Sequence, residues 1–201
     1  MKYKFITFMM LILGLTSFAQ TNDLTDEEID AFKVQCQERI DAFQMGLEII
    51  GDKQQPADIK THYLRTLPEM FMGSGDPWTD VNGGRHGAVK MQVSSLSSGK
   101  VHDVPLKTYL TRLRDLNYKS VEIKKAQTCL ISNLYKVSEN MYMGTCTFFQ
   151  FFTAVGSDNR VYKDRTQKDV DVYIQRVDDG SLGTYWDMKF GDINVVQTSP
   201  Y

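Results

Sequence analysis

The 201-residue sequence is short of nearly every pattern that announces a chemistry. It has no H-E-x-x-H, no G-x-S-x-G and no G-x-x-x-x-G-K-[ST], so zinc-protease, serine-nucleophile and nucleotide chemistries lose their usual support. Cysteines are few, Cys36, Cys129 and Cys146, and none stands in the paired C-x-x-C spacing of a zinc site. Their odd number leaves at least one thiol unpaired within the chain in an oxidising compartment, and burial as small hydrophobes suits all three. The glycine-rich stretch Gly73 to Gly87 lacks the alternating acidic residues of a calcium loop. No metal and no cofactor is expected. There is also no block of Lys and Arg to follow a phosphate backbone, which argues against nucleic acid as a partner. After the N-terminus the most apolar run, Met141 to Val155, is broken by Gly144, Thr145, Thr147 and Gln150 and reads as a strand rather than a membrane span.

The first nineteen residues do carry a pattern. Lys2 and Lys4 precede an apolar run from Phe5 through Leu15, and Ser17 and Ala19 place small side chains where signal peptidase reads them. The apolar run is shorter than the roughly 20 residues a helix needs to cross a bilayer. A signal peptide at 1–19 is therefore predicted, with the mature protein starting at Gln20 and located in the periplasm or secreted. Losing Lys2 and Lys4 moves the formal net charge from −2 to −4. Residues 20–201 fit a single domain, since domains commonly run about 100 to 200 residues.

Within that domain, Thr25 and Glu28 form a capping box. Ile29, Phe32, Cys36, Ile40, Phe43, Leu47 and Ile50 follow at steps of three and four, which predicts a helix over Asp26 to Ile50 closed by a left-handed Gly51. A second helix starts near Pro56, turns Ile59, Tyr63, Leu64 and Leu67 inward, and is interrupted by Pro68. Alternation at Val89, Met91 and Val93 predicts a strand, turned by Ser97, Ser98 and Gly99 into a second strand over Val101 to Val104. Pro105 opens a third helix with Leu106, Tyr109, Leu110, Leu113 and Leu116 facing inward. Four long strands complete the chain, at about Lys119 to Val137, Met141 to Val155, Val161 to Val177 and Thr184 to Val196. Their length suggests a strongly curved sheet.

This order resembles the nuclear transport factor 2-like superfamily, the cystatin-like or cone fold. The local matches are Tyr109-Leu-x-x-Leu-x-x-Leu116 leading into the first long strand, and Trp186-Asp-Met-Lys-Phe-Gly-Asp-Ile-Asn-Val195 in the last. The resemblance implies an α+β fold in which three N-terminal helices pack on a strongly curved antiparallel sheet, with a pocket between the long helix and the sheet. Its members include isomerases, dehydratases, ligand binders and assembly domains, so fold alone leaves function open. The ketosteroid isomerases of the superfamily use a tyrosine on the first helix, and here the helix from Asp26 to Ile50 has none.

Candidate catalytic residues are consequently few. Asp164 and Tyr162 share a strand face and could place a carboxylate and a phenol in one pocket, although Asp164 serves equally well as a surface partner for a lysine. His86 lies in the glycine-rich loop near Asp76 and Asp80, where an exposed loop histidine is the plainer reading. For binding, Asp76 and Trp78 suit a site rim, and Trp78 suits a loop anchor as well. Phe148, Phe149, Phe151 and Phe152 put two phenylalanines on each face of their strand. One such face needs a cover, which implies a homodimer or an envelope partner docked on the sheet, with Phe149 and Phe151 in the contact, unless the Gly73 to Gly87 loop folds over it. The absent signatures together point to an exported, non-catalytic binding or assembly domain able to take a small apolar ligand. The alternative is a small-molecule isomerase or lyase with an acid/base pair in the pocket.

Overall fold

The computed structural model describes residues 23–94, 96, 99–125, 129–181 and 183–201. The expected leader at 1–19 lies outside the described residues, as do Ser97 and Ser98 of the expected turn.

Helix α1 runs Asp26–Gly51 from the capping box, in which the Glu28 amide donates to Thr25 Oγ1 at 3.2 Å and the Thr25 amide donates to Glu28 Oε2 at 2.8 Å. Its stripe is buried at Cys36, Ile40, Phe43, Leu47 and Ile50, each large apolar side chain contributing roughly 1.5–3 kcal/mol on leaving water. Gly51 does not take the left-handed conformation expected of it; it is the last helical residue, and extended Asp52 closes the helix. A Cβ on Gly51 would stand 3.1 Å from Val121 Cγ1, so close helix-to-sheet approach is what glycine provides there.

Helix α2, Ala57–Thr66, follows Pro56 and passes into a short 3-10 turn, Leu67–Met70. The inward set is corrected here. Ile59 is 40% exposed, whereas Lys60 is buried, because positions three, four and seven before the anchoring Leu67 are Leu64, Tyr63 and Lys60. Strands β1 (Trp78–Thr79) and β2 (Arg85–His86) form a small hairpin inside the glycine-rich loop. Next come β3 (Lys90–Ser94), β4 (Val101–Pro105) and helix α3 (Leu106–Arg114).

The remaining strands are β5 (Ser120–Lys125), β6 (Leu130–Ile131), β7 (Tyr135–Ser138), β8 (Met141–Val155), β9 (Val161–Asp179) and β10 (Gly183–Ser199). The single strand expected over Lys119 to Val137 is three short ones, all pairing with the long β8. The main order is β4-β3-β10-β9-β8-β5. The protein is thus α+β, with three α-helices and a large sheet among the described residues. That sheet is mixed rather than antiparallel, because β10 meets β3 in parallel at Ile193 and Met91, and it is not strongly curled. The extra strand length goes into pairing: β8 and β9 stay in register from Met141 opposite Gln175 to Val155 opposite Val161.

Helical and sheet residues share one core, in which Phe43, Phe71 and Phe190 pack edge to face at centroid distances of 5.2 and 5.7 Å. Cys146, Phe148, Val170, Val172 and Ile174 face this core. All three cysteines are buried free thiols, and Cys129 Sγ donates to Gln37 Oε1 at 2.8 Å.

Candidate active site

Proline at 105 sets φ at −53° ahead of α3, and the helical repeat then turns Leu106, Tyr109, Leu110 and Leu113 toward the sheet. Beneath them, alternation along β9 presents Asp164, Thr166 and Lys168 on one face. Register brings Phe152 opposite Asp164, Gln150 opposite Thr166 and Phe148 opposite Lys168. Val93 and Ser94 of β3 and Val104 of β4 close another side, and Arg112 and Leu116 stand at the helical side. The result is a cavity of about 310 Å³, at the lower end of the range of roughly 300–1,000 Å³ usual for small-molecule sites.

Of its polar groups Gln150, Thr166 and Lys168 are buried, Asp164 and Ser94 are half-buried and Arg112 is exposed. Lys168 is only 5% exposed, and its Nζ lies 5.8 Å from the centre of the Tyr109 ring. Burial disfavours the ammonium and pushes the Lys168 pKa down to about 7, while the nearby Asp164 carboxylate acts to raise it. Burial likewise holds Asp164 above its ordinary value, against the opposing pull of the Thr166 hydroxyl and of Lys168. The Tyr109 hydroxyl end is enclosed, and that desolvation pushes its pKa up to about 12 against the effect of the adjacent Gln150 side chain. Tyr109 therefore keeps its proton throughout the neutral range. Gln150 Oε1 is buried without a hydrogen-bond partner. Hydroxyls form a chain across three strands: Ser94 Oγ and Thr198 Oγ1 are 2.5 Å apart, Thr198 Oγ1 and Thr166 Oγ1 are 3.2 Å apart, and Thr166 Oγ1 donates to Asp164 Oδ1 at 3.4 Å.

The residues singled out from sequence fall in five places. Asp164 lies in the cavity. Tyr162 does not join it, although the two share a strand face: Tyr162 is 45% exposed and packs on Tyr118 at 5.8 Å, beyond the cavity end. His86 bonds through Nε2 to Asp80 Oδ2 at 2.8 Å and stacks on Trp78 at 3.8 Å, while Trp78 meets Tyr173 edge-on at 5.3 Å. Asp80 also accepts from the Asn82 and Gly84 amides at 2.8 and 2.9 Å, so this cluster anchors the loop. Asp76 stands apart from it, paired with Lys107 at 2.5 Å. Phe149 and Phe151 lie on the opposite sheet face, half-buried, beside Arg165 and Tyr201. The loop reaches this face at Tyr173.

Lys168, Gln150 and Thr166 were missed by sequence reasoning. The signal lay in register: Asp164, Thr166 and Lys168 occupy the same alternate positions as the core residues Val170, Val172 and Ile174, and a lysine in that series faces the interior. Among the described residues no group of three or more His, Cys, Asp or Glu side chains is arranged to hold a metal ion, and no helix is long and apolar enough to cross a membrane.

No protein-family model matches the chain, and no curated protein matches it in sequence. Solved structures of similar fold include a Novosphingobium aromaticivorans protein assigned as a scytalone dehydratase, 10% identical over 87% of this chain and 91% of that one, with a TM-score of 0.43. A type 2 hexachlorocyclohexane dehydrochlorinase (LinA) is 14% identical over 86% and 93% of the two chains, with a TM-score of 0.40. The type 3 enzyme from Novosphingobium barchaimii is 12% identical over 86% and 94%, with a TM-score of 0.38. No residue's role passes from these distant chains to this one. The expectation of a non-catalytic binding or assembly domain is corrected at the site itself, where this chain's own cavity gathers a carboxylate, an amine and a phenol.

Proposed function

We propose that the protein is a small-molecule lyase or isomerase that moves a proton within the cavity under α3. One observation carries the reading: Lys168, buried in a largely apolar site, shares that site with Asp164 and Tyr109. An amine with a pKa of about 7 is substantially neutral at neutral pH and can take a proton from carbon, whereas an ordinary lysine stays protonated. Tyr109 stays protonated and supplies a hydrogen bond to charge developing on the substrate. Asp164 and the Ser94-Thr198-Thr166 hydroxyl chain offer a path by which the proton moves on.

Nitrobenzisoxazole tests the reading, since its elimination needs only a positioned base and releases a coloured cyano-nitrophenolate. Turnover above that of free lysine, reduced by Lys168→Met on the order of 10²-fold or more, is the expected result. Equal turnover by both proteins removes Lys168 as the base.

We also propose that the chain is an exported member of the nuclear transport factor 2-like group. The order helix, helix, hairpin, helix and long strands supports the grouping, and the basic, apolar, small order of residues 1–19 supports export. Protein recovered from its native host with Met1 to Ala19 intact contradicts cleavage.

A further inference from the structure

We infer that Lys168 is a nucleophile and that its pocket takes an apolar aldehyde or ketone, held by a Schiff base between Nζ and the carbonyl carbon. The inference deepens the proposed lyase or isomerase reading and rests on it, because it names the substrate class of the same cavity.

Geometry carries it. Lys168 lies on the central strand β9, whose neighbours β8 and β10 fix its backbone on both sides. Its side chain, only 5% exposed, meets a cavity of about 310 Å³ that sets the apolar walls Val104, Leu113, Leu116 and Phe152 beside polar groups such as Gln150 and Asp164. A lysine in the interior whose only task was charge would be expected in a direct ion pair. No such pair within 4 Å joins Lys168 to Asp164, which instead accepts from the Thr166 hydroxyl. A primary amine held over a tyrosine ring without an ion pair, beside a cavity with apolar walls, is the arrangement by which lysines act on carbonyl compounds.

The step balances without an oxidant or reductant. The Nζ lone pair attacks the carbonyl carbon and the C=O π pair moves to oxygen, which accepts a hydrogen bond from the Tyr109 hydroxyl. The Asp164 carboxylate takes one proton from the nitrogen and passes it to oxygen, and as the nitrogen lone pair breaks the C–O bond the second amine proton follows the same route, so both leave in the one water released for one imine formed. Protonated, that imine draws electrons from the adjacent carbon and makes its hydrogen acidic; with Nζ committed to the imine, the Asp164 carboxylate is the base left in the cavity to take that proton.

Reductive trapping tests the inference. The full protein is incubated at neutral pH with phenylpropanal and sodium cyanoborohydride, and the reduced adducts are mapped by peptide mass spectrometry. The expected result is labelling of Lys168 at least about tenfold faster than of any surface lysine, whose amines are almost wholly protonated at that pH. Butylbenzene, of similar shape without a carbonyl, should slow labelling at Lys168 alone, a readout that needs no variant to fold. Labelling confined to surface lysines, with the Lys168 peptide unmodified, overturns the Schiff base. Nitrobenzisoxazole has no carbonyl, so turnover of that probe alongside unmodified Lys168 defeats the imine and leaves the proton-transfer reading standing. Failure of both defeats the two together.

Discussion

Replacing Lys168 by methionine keeps an unbranched stem out to Cε and deletes the group that burial penalises. In the unfolded chain a lysine has its ordinary pKa of 10.5, and in the folded protein burial holds Lys168 at about 7. Between those values the unfolded state binds a proton that the folded state does not, so stability rises with pH across the window. Below pH 7 both states are protonated and the full penalty applies, about 5 kcal/mol at 1.36 kcal/mol per unit. By pH 9 it has fallen by on the order of 2–3 kcal/mol. Lys168→Met should therefore stabilise the protein, with a gain that is largest at pH 6 and shrinks toward pH 9 to 10. Urea unfolding of both proteins at pH 6, 7, 8 and 9 reads this directly, because taking the difference cancels groups common to both. A difference that does not change with pH would refute the argument, since a solvated Lys168 would give that result.

Phe43 is fully buried mid-stripe on α1, and Phe43→Ala should cost about 3–5 kcal/mol in urea unfolding; a loss below about 1 kcal/mol contradicts its place in the core. The bond from His86 is the chief influence holding the Asp80 carboxylate below the usual range, so its contribution is present above the ordinary carboxylate pKa and fades as pH falls through the depressed value. Asp80→Asn should accordingly speed hydrogen exchange at the Asn82 and Gly84 amides at neutral pH, and unchanged exchange would show that the loop is held by other contacts. The half-buried Phe149 and Phe151 leave association through the outer sheet face as a proposal: sedimentation at micromolar concentration should show a dimer weakened by Phe151→Lys, and a monomer at that concentration excludes it.

Much of the fold was legible because local rules dominate where apolar periodicity is long. The stripe of α1, its capping box and the bounds Met141 to Val155 all match the structure. Reading failed where partners distant in sequence decide. Gly51 is glycine because of Val121, Ile59 is exposed because Leu67 sets the face of α2, and the parallel contact of Ile193 with Met91 joins segments about a hundred residues apart. The site was half legible for the same reason. Asp164 and the inward face of Tyr109 follow from periodicity, but that Lys168 and Gln150 lie beneath Tyr109 depends on the register of β8 against β9 and on where α3 docks. Tyr162 shows the limit of face arguments, since sharing a face with Asp164 did not put it in the same cavity.

The pH dependence of nitrobenzisoxazole elimination tests the central claim most directly. With Lys168 as the base, the rate should rise with pH through about 7, where the buried amine loses its proton, and then level off. Tyr109→Phe should lower the plateau on the order of 10²-fold by removing a donor to the departing oxygen, leaving the inflection near its original pH. A rate that instead rises only through the range of ordinary carboxylates, or that is the same in the wild type and Lys168→Met, would contradict the account.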